Sequence, residues 1–129
     1  MRRLFDVIRR KPVSLPATAR VRDAAESMRK HKVGAILVTA PDGHLVGIFT
    51  ARDAVHRVLA AGRDPSHTTL SEVMTPNPTT VTPAQIASDA LKLMQEIGCR
   101  HLPVVENGQI VGIVSRADFL GLEHQKVEE

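Results

Sequence analysis

The sequence predicts a protein of mixed α/β class (α+β, layered), made of two β-α-β-β-α repeats packed about a pseudo-twofold axis. The first observation is a long internal repeat, because residues 4–38 align with residues 70–104 without a gap. The second is that residues 42–53 align with residues 107–118, where glycines and an aspartate recur at the same places. A repeat of this length indicates one structural unit used twice. Repeats of about 65 residues are marginally stable alone, so we expect them to share a core.

Apolar periodicity and turn residues predict the elements of each repeat. In the first repeat they are a lead-in helix at 4–8, an extended segment at 13–15, a helix through Val21, Ala24, Ala25 and Met28 that ends at Gly34, strands at 35–39 and 45–50, and a helix from Thr50 to Gly62. In the second they are a lead-in helix at 70–74, an extended segment at 80–81, a helix through Ile86, Ala90, Leu93, Met94 and Ile97 that ends at Gly98, strands at 101–105 and 110–115 joined by a tight Asn-Gly turn, and a helix from Ser115. We therefore assign residues 1–62 to the first repeat, 63–69 to a linker and 70–129 to the second.

The composition is that of an ordinary globular protein, with 43% hydrophobic residues, 24% charged residues and a net charge of +3. No apolar run approaches the ~20 residues that span a bilayer, and no signal-peptide pattern opens the chain. Cys99 is the only cysteine, so no intramolecular disulfide can form. The histidines show no metal-ligand spacing, so no metal is expected. We expect a cytoplasmic protein that does not bind membranes.

A basic cluster opens the chain. It consists of Arg2, Arg3, Arg9, Arg10 and Lys11. Such a cluster could contact nucleic acid, or it could be a solvated helix face. The second interpretation is favoured, because the chain has three Phe and neither Tyr nor Trp, whereas proteins that bind single strands usually stack bases on aromatic side chains.

The strongest local motif reads Gly, two apolar residues, Ser or Thr, two variable residues and Asp. It occurs at 47–53 and again at 112–118. A hydroxyl residue where a strand ends and a helix begins lies beside free backbone N–H groups, which favour a phosphate. Asp53 and Asp118 follow one helical turn later, where a carboxylate can accept both hydroxyls of a ribose. The glycine of each motif would let a ligand approach the backbone.

The same motif also fits a capping box, in which Thr50 and Asp53 would satisfy the first amides of a helix. A single occurrence would favour this structural role. Because the motif occurs twice with its glycine, at the same place in a β-β-α unit, a nucleotide site is the preferred interpretation. The helix cap remains the alternative.

Three features together resemble the CBS domain family, in which two domains in tandem form a Bateman module. They are the segment 73–78 (VMTPNP) that opens the second repeat, the segment 99–105 (CRHLPVV), and both copies of the Gly-to-Asp motif. The resemblance covers residues 4–120. The first repeat departs from it in two places, with Ile8-Arg9-Arg10 in place of Met-Thr-Pro and Ala35-Ile36-Leu37-Val38 in place of His101-Leu102-Pro103-Val104.

The resemblance implies two clefts that often bind adenosine-containing ligands. By position it implies that Asp53 and Asp118 bind the ribose and that Thr50 and Ser115 bind a phosphate. Further phosphate candidates, which the resemblance does not fix, are Arg52, Arg100 and Arg116. The implied adenine pocket consists of Ser14, Leu15, Val33, Gly34, Ala35, Thr80, Val81, Cys99, His101 and Pro103. Taken as single residues, Cys99 and His101 are more simply explained by packing.

The resemblance implies a non-catalytic regulatory sensor. Its ligand would be AMP, ADP or ATP, with or without magnesium, or else S-adenosylmethionine or NADH. Because no effector domain is attached, its output would reach a protein partner in trans, and a homodimer is expected. The alternative is a ligand-independent interaction or dimerisation scaffold. No Ser-His-Asp arrangement, metal cluster or P-loop lysine supports an enzyme, and nucleic acid is not an expected partner.

Overall fold

A computed structural model describes residues 2–8 and 11–119. In chain order its elements are α1 (Leu4–Val7), β1 (Ser14–Pro16), α2 (Val21–His31), β2 (Ala35–Thr39), β3 (Leu45–Thr50), α3 (Ala51–Asp53), a π-helix (Ala54–Leu59), α4 (Leu70–Val73), β4 (Thr75–Pro76), α5 (Ala87–Ile97), β5 (His101–Glu106), β6 (Gln109–Ser115) and a 3₁₀-helix (Arg116–Asp118). The predicted mixed α/β class is confirmed. The chain divides into two compact units, of which one is Pro12–Pro78 and the other joins Met1–Lys11 to Thr79–Glu129.

The unit Pro12–Pro78 is built on a four-stranded sheet of order β1-β2-β3-β4. Strand β1 runs parallel to β2, and the other two pairings are antiparallel. Helix α2 is amphipathic and buries its Val21 and Ala24 side chains. The core of this unit contains Val21, Ala24, Ile36, Val38, Phe49, Val58, Leu70 and Val73. Strand β2 supplies Ile36 and Val38 to this core, and Ala35 and Leu37, which alternate with them, are also buried. Burial on both faces agrees with the nearly continuous apolar sequence of the strand.

The other unit packs α5 and α1 with the antiparallel hairpin β5–β6. Its core contains Leu4, Val7, Val81, Ala87, Ala90, Leu91, Met94, Leu102, Val104, Val114 and Phe119. The predicted tight turn is confirmed, because Asn107 and Gly108 both have positive φ angles, of 53° and 76°. Two positive φ angles define the type I′ turn that matches the twist of a hairpin, and Asn-Gly is the pair that adopts it most readily.

The two extended segments that precede the long helices pair differently with their sheets. In the first unit the N–H of Leu37 donates to the carbonyl of Val13, at 2.9 Å, and a three-residue strand β1 results. At the equivalent position the second repeat has Pro103, which has no N–H to donate. The pairing there is reduced to one bridge between Val81 and Val104. A single proline thus explains the shorter pairing.

The lead-in helices explain why the compact units differ from the sequence repeats. In α4 the N–H of Leu70 donates to the carbonyl of Ala19, at 2.9 Å. In α1 the N–H of Leu4 donates in the same way to the carbonyl of Gln85, at 2.8 Å. Each lead-in helix therefore packs against the unit that contains the other repeat. The predicted boundaries at residues 62 and 70 therefore describe the repeats of the sequence, whereas the compact units have other boundaries.

One predicted helix end is wrong. Helix α5 ends, as predicted, at Gly98 with a φ angle of 81°, but α2 ends at Lys32, whose φ angle is 55°. Lys32 occupies the position equivalent to Gly98, whereas Gly34 lies two residues further on, at the start of β2. The left-handed conformation strongly favours glycine, so the sequence predicts the end of α2 at Gly34 and not at Lys32.

The helix that follows β3 is an α-turn that widens into a π-helix at Ala54–Leu59. The bonds from the N–H of Ala60 to the carbonyl of Val55 and from the N–H of Arg63 to the carbonyl of Val58 span five residues. After Ser115 the structure has the 3₁₀-turn Arg116–Asp118. The rest of the helix that the sequence predicts there falls on residues outside the described ones. Arg9 and Arg10 of the basic cluster also lie outside them.

Candidate functional site

The two copies of the motif occupy equivalent places at the ends of strands. Thr50 ends β3 opposite Ala35 of β2, and Ser115 ends β6 opposite His101 of β5. A backbone bond fixes each junction: the N–H of Ala51 donates to the carbonyl of Gly34 at 3.0 Å, and the N–H of Arg116 donates to the carbonyl of Arg100 at 2.9 Å. Hairpin pairing thus places each hydroxyl residue beside the segment that opens the neighbouring strand.

In the first motif, Thr50 and Asp53 bond to each other and to the backbone. The carboxylate Oδ2 of Asp53 accepts from the Thr50 N–H at 2.9 Å and from the Thr50 hydroxyl at 3.1 Å. The hydroxyl oxygen also accepts from the Asp53 N–H at 3.2 Å. These reciprocal bonds are those of a capping box, so the structural role considered for the motif is realised here. They fix the rotamer of the carboxylate.

The second motif is held less completely. The carboxylate Oδ2 of Asp118 accepts from the Ser115 N–H at 2.8 Å. Ser115 occupies the N-cap position, but its hydroxyl makes no hydrogen bond to the Asp118 N–H. The second carboxylate oxygen of Asp118 has no hydrogen-bond partner among the residues that the structure describes. That oxygen can accept a hydrogen bond from a ligand.

Arg57 is a residue of the first site that the sequence analysis missed. Its Nε lies 3.6 Å from the carboxylate Oδ1 of Asp53, and its Nη1 donates to the carbonyl of Met74 at 3.1 Å. The Asp53 side chain is only 14% exposed, so this pair is partly shielded from water. A spacing of four residues along a helix was the available signal, since i, i+4 pairs of opposite charge face each other.

The other predicted residues of the first site lie on the neighbouring strands. Ser14 and Leu15 of β1 pair with Leu37 and Val38 of β2. Strands β1 and β2 are parallel, so both begin at the end of the sheet where β3 reaches Thr50. Val33 and Gly34 are half-buried and Ala35 is buried. Strands β1 and β3 lie about 10 Å apart, on either side of β2, which is a distance that a nucleoside can span.

The predicted residues of the second site differ in exposure. Thr80 is exposed and His101 is half-buried, whereas Val81 and Pro103 are buried. Val81 belongs to the core of its unit, so it can offer a ligand only its backbone. Cys99 packs against the same core, and burial raises the pKa of its thiol, which therefore stays protonated at neutral pH.

The three candidate phosphate arginines are placed unequally. Arg52 and Arg100 are exposed, and Arg116 is half-buried. The positive charge of Arg116 acts on the thiol of Cys99 and opposes the effect of burial on its pKa. Arg116 therefore lies close to the predicted adenine segment of the second site. Among the residues that the structure describes, Arg52 makes no ion pair and no hydrogen bond.

The motif glycines are required by packing, which differs from their expected role of admitting a ligand. A Cβ atom at Gly47 would collide with the Sδ of Met74 and would lie 3.1 Å from the carbonyl oxygen of Thr75. A Cβ atom at Gly112 would lie 2.7 Å from the Cγ2 of Ile8. In each unit a side chain that follows the lead-in helix lies over the motif glycine.

Within residues 2–8 and 11–119 no three His, Cys, Asp or Glu side chains are grouped as metal ligands. Among the same residues no helix is long and apolar enough to cross a membrane. In each unit the candidate site consists of one carboxylate and one hydroxyl residue with nearby arginines. Such a set of groups binds polar organic ligands through hydrogen bonds and charge.

The fold and the duplicated motif define a tandem regulatory module, and the chain belongs to the CBS domain family. The family model for the CBS domain matches residues 4–60 and 70–124. A CBS domain-containing protein of Arabidopsis thaliana is 44% identical over 92 residues, which are 71% of this chain and 17% of that protein. An uncharacterised protein of Methanopyrus kandleri is 32% identical over 119 residues, which are 92% of this chain and 61% of that protein. The chain thus spans about a fifth of the length of the plant relatives.

Solved structures share the same fold. A CBS domain protein from Pyrobaculum aerophilum complexed with AMP has a TM-score of 0.87 and 30% identity, and covers 98% of each chain. The CBS domain pair of protein MJ0100, in complex with 5′-methylthioadenosine and S-adenosyl-L-methionine, has a TM-score of 0.84 and 26% identity, and covers 96% of this chain and 97% of that one. Hypoxic Response Protein I with two coordinated zinc ions has a TM-score of 0.79 and 31% identity, and covers 90% and 94%. CBS domain proteins are generally non-catalytic regulatory modules, and this chain has their architecture.

Proposed function

We propose that this chain binds an adenosine-containing ligand at the motif of each repeat and passes the binding event to a protein partner. The observation that carries the proposal is that the same arrangement is built twice: a hydroxyl residue ends a strand, and an aspartate accepts the N–H of that residue through Oδ2. In the first copy the second carboxylate oxygen, Oδ1, faces Arg57 at 3.6 Å, and in the second copy it has no hydrogen-bond partner among the described residues. A ribose offers two hydroxyl donors, and a carboxylate is the side chain that accepts both.

The remaining roles follow from position. Thr50 and Ser115 are proposed to contact a phosphate, with Arg52, Arg100 and Arg116 as candidate cationic partners. The segments that precede β2 and β5, together with β1 and Thr80-Val81, would hold the adenine. The complexes of the related structures with AMP and with S-adenosyl-L-methionine support this ligand class. AMP, ADP, ATP and S-adenosylmethionine are therefore the first ligands to test, with NADH and magnesium as variations.

The test measures ligand binding in the unmodified chain and in two single variants, Asp53→Asn and Asp118→Asn. A ligand present at 100 times its Kd raises the free energy of unfolding by about 2.7 kcal/mol, so a dye-based melt detects it as a rise in Tm. Losing a hydrogen bond to a charged group costs about 1.5–3 kcal/mol, so each substitution weakens its own site about 10- to 100-fold. Calorimetry then separates the two sites.

A ligand-independent scaffold is the second candidate, because the bonds between Thr50 and Asp53 are fully explained by a capping box. In that case none of the ligands changes the Tm. The asparagine variants, which keep an acceptor oxygen, would then bind a protein partner or form a homodimer as the unmodified chain does. Neither candidate involves catalysis, and we expect ATP to remain unhydrolysed during the binding experiment.

A further inference from the structure

Arg57 connects three parts of the unit Pro12–Pro78. It lies in the π-helix that follows Asp53, and its Nε faces the carboxylate Oδ1 of Asp53 at 3.6 Å. Its Nη1 donates to the carbonyls of Val73 and Met74, at 3.3 Å and 3.1 Å. One guanidinium thus joins the proposed ribose-binding carboxylate to the point where α4 ends. The planar, multiply donating guanidinium can make both contacts at once, which an ammonium group does not do.

Besides Arg57, the segment at residues 73–78 is held by the buried side chain of Val73, by Met74 packed against the same core, and by backbone pairing. Strand β4 has two residues and pairs with Gly47 and Ile48. The N–H of Asn77 donates to the carbonyl of Val46, at 3.1 Å, and Met74 lies over Gly47. This segment, residues 73–78, is the last part of the unit before the chain continues at Thr79. A change in the contacts of Arg57 can therefore alter how firmly residues 73–78, the exit segment of the unit, are held in place.

The second repeat has no arginine at the position equivalent to Arg57. The residue four positions after Asp53 is Arg57, whereas the residue four positions after Asp118 is Leu122. A leucine side chain has no group that donates to a carboxylate or to a carbonyl. The asymmetry is therefore a property of the sequence, although both motifs have the glycine, the hydroxyl residue and the aspartate that define them.

We propose that Arg57 is a positioning residue that couples ligand binding at Asp53 to residues 73–78, and that this coupling belongs to the first site alone. The inference rests on the proposed function, since it needs a ligand on Asp53. Ribose hydroxyls that donate to Oδ1 of Asp53 compete with the guanidinium for that oxygen. The guanidinium then bonds more fully to the carbonyls of Val73 and Met74, and the exit segment becomes more ordered. Such a link between two places is a coupling free energy.

The experiment follows backbone amide exchange by NMR in the full chain, carrying Asp118→Asn so that the second site is silent. Saturating AMP, or S-adenosylmethionine if AMP does not bind, is added to each variant, and saturation is checked by calorimetry. Proline has no N–H, so the probes in the part of the exit segment that follows α4 are the amides of Met74, Thr75 and Asn77. We expect the ligand to slow their exchange about fivefold or more, the lower end of typical coupling.

Two substitutions at Arg57 remove the coupling, and a matched control keeps it. In Arg57→Leu the ligand still binds at saturation, but the exchange of the three amides no longer responds. Arg57→Lys keeps the positive charge beside Asp53 but loses the several fixed donors of the guanidinium, so we expect the same loss of response. It takes the place of Arg57→Leu if the leucine variant does not fold. The control is Arg63→Leu, since Arg63 also contacts α4, through Glu72 at 2.9 Å, without touching Asp53. It retains the ligand response.

The outcomes are distinguishable. Binding to the Arg57 variants with an unchanged response of the three amides overturns the inference and leaves the proposed function standing. A response that is lost equally in the Arg63 variant also overturns it, because any contact to α4 would then suffice. If none of AMP, ADP, ATP, S-adenosylmethionine and NADH binds the unmodified chain, the proposed function fails and the inference fails with it.

Discussion

The two copies of the motif have the same kinds of residue at the defining positions, a glycine, a hydroxyl residue and an aspartate, but different surroundings. In the first copy the carboxylate of Asp53 is held by the N–H and hydroxyl of Thr50 and faces Arg57. In the second copy the carboxylate of Asp118 is held by the N–H of Ser115 alone, among the described residues. The first carboxylate is thus the better fixed and the second is the more available. A duplicated sequence motif therefore does not imply two equivalent sites, because groups outside the motif decide what each carboxylate can do.

The same contrast appears where each motif glycine is packed. Gly47 is covered by Met74, an unbranched and adaptable side chain, whereas Gly112 is covered by Ile8, which is β-branched and stiff. The covering residue comes in each case from the segment after a lead-in helix. The two units thus place their motif glycines alike, whereas the side chains that pack against those glycines differ. The following substitutions test that difference.

The largest effect is expected at the motif glycines. Gly112→Ala places a Cβ atom 2.7 Å from the Cγ2 of Ile8, and we expect it to lower the free energy of unfolding by about 2–3 kcal/mol. Gly47→Ala should cost about 1–2 kcal/mol, because Met74 can change rotamer. Urea unfolding measures both. Adding Ile8→Ala to the first variant should recover part of its loss, and full additivity of the two substitutions would contradict the contact.

The helix ends separate the two repeats next. Gly98→Ala forces alanine into a left-handed conformation and should destabilise the chain by about 1–2 kcal/mol. Lys32→Gly replaces a strained residue at the equivalent position, where the φ angle is 55°. It should stabilise the chain by about 0.5 kcal/mol, since relief of strain exceeds the added entropy of the unfolded glycine. Thermal melts detect both signs. A loss of stability in Lys32→Gly would be the opposite of what the geometry indicates.

The capping hydroxyls give a smaller difference. Thr50→Val keeps the shape of the side chain and removes two hydrogen bonds, so we expect a loss of about 1 kcal/mol. Ser115→Ala removes a hydroxyl that makes no such bond to Asp118, and should cost only about 0.3 kcal/mol. Both free energies come from the same urea titration. Equal losses in the two variants would mean that the two motifs are held alike in solution.

The smallest effect concerns acid. The N–H of Thr69 donates to Glu72 at 2.7 Å, and with the Thr69 hydroxyl and Arg63 it lowers the pKa of Glu72 from its ordinary value of 4.5. A carboxyl with a depressed pKa in the folded state adds stability above its unfolded pKa and loses it as the pH falls through the folded value. Stability should therefore decline less steeply below pH 4.5 in Glu72→Gln than in the unmodified chain. Parallel curves would show that these bonds add nothing.

Much of the fold could be predicted because its signals are local. Short apolar runs mark the strands of both hairpins, and the Asn107-Gly108 pair specifies its turn through two residues alone. The wrong prediction that α2 ends at Gly34 also rests on a local signal, the glycine itself. The backbone angle at Lys32 is set by how α2 meets β2, which a local signal does not show. The role of the motif glycines could not be predicted, because the collision at Gly47 involves a side chain 27 positions away.

The repeat could be predicted from spacing along the chain, and so could the order of helices and strands, the motif residues and the family. The packing of the elements was needed to show which unit each lead-in helix joins, which side chain covers each motif glycine, and that Arg57 reaches from Asp53 to the carbonyl of Met74. Contacts between residues distant in sequence depend on how the elements pack together, and packing has no fixed spacing from which it could be read.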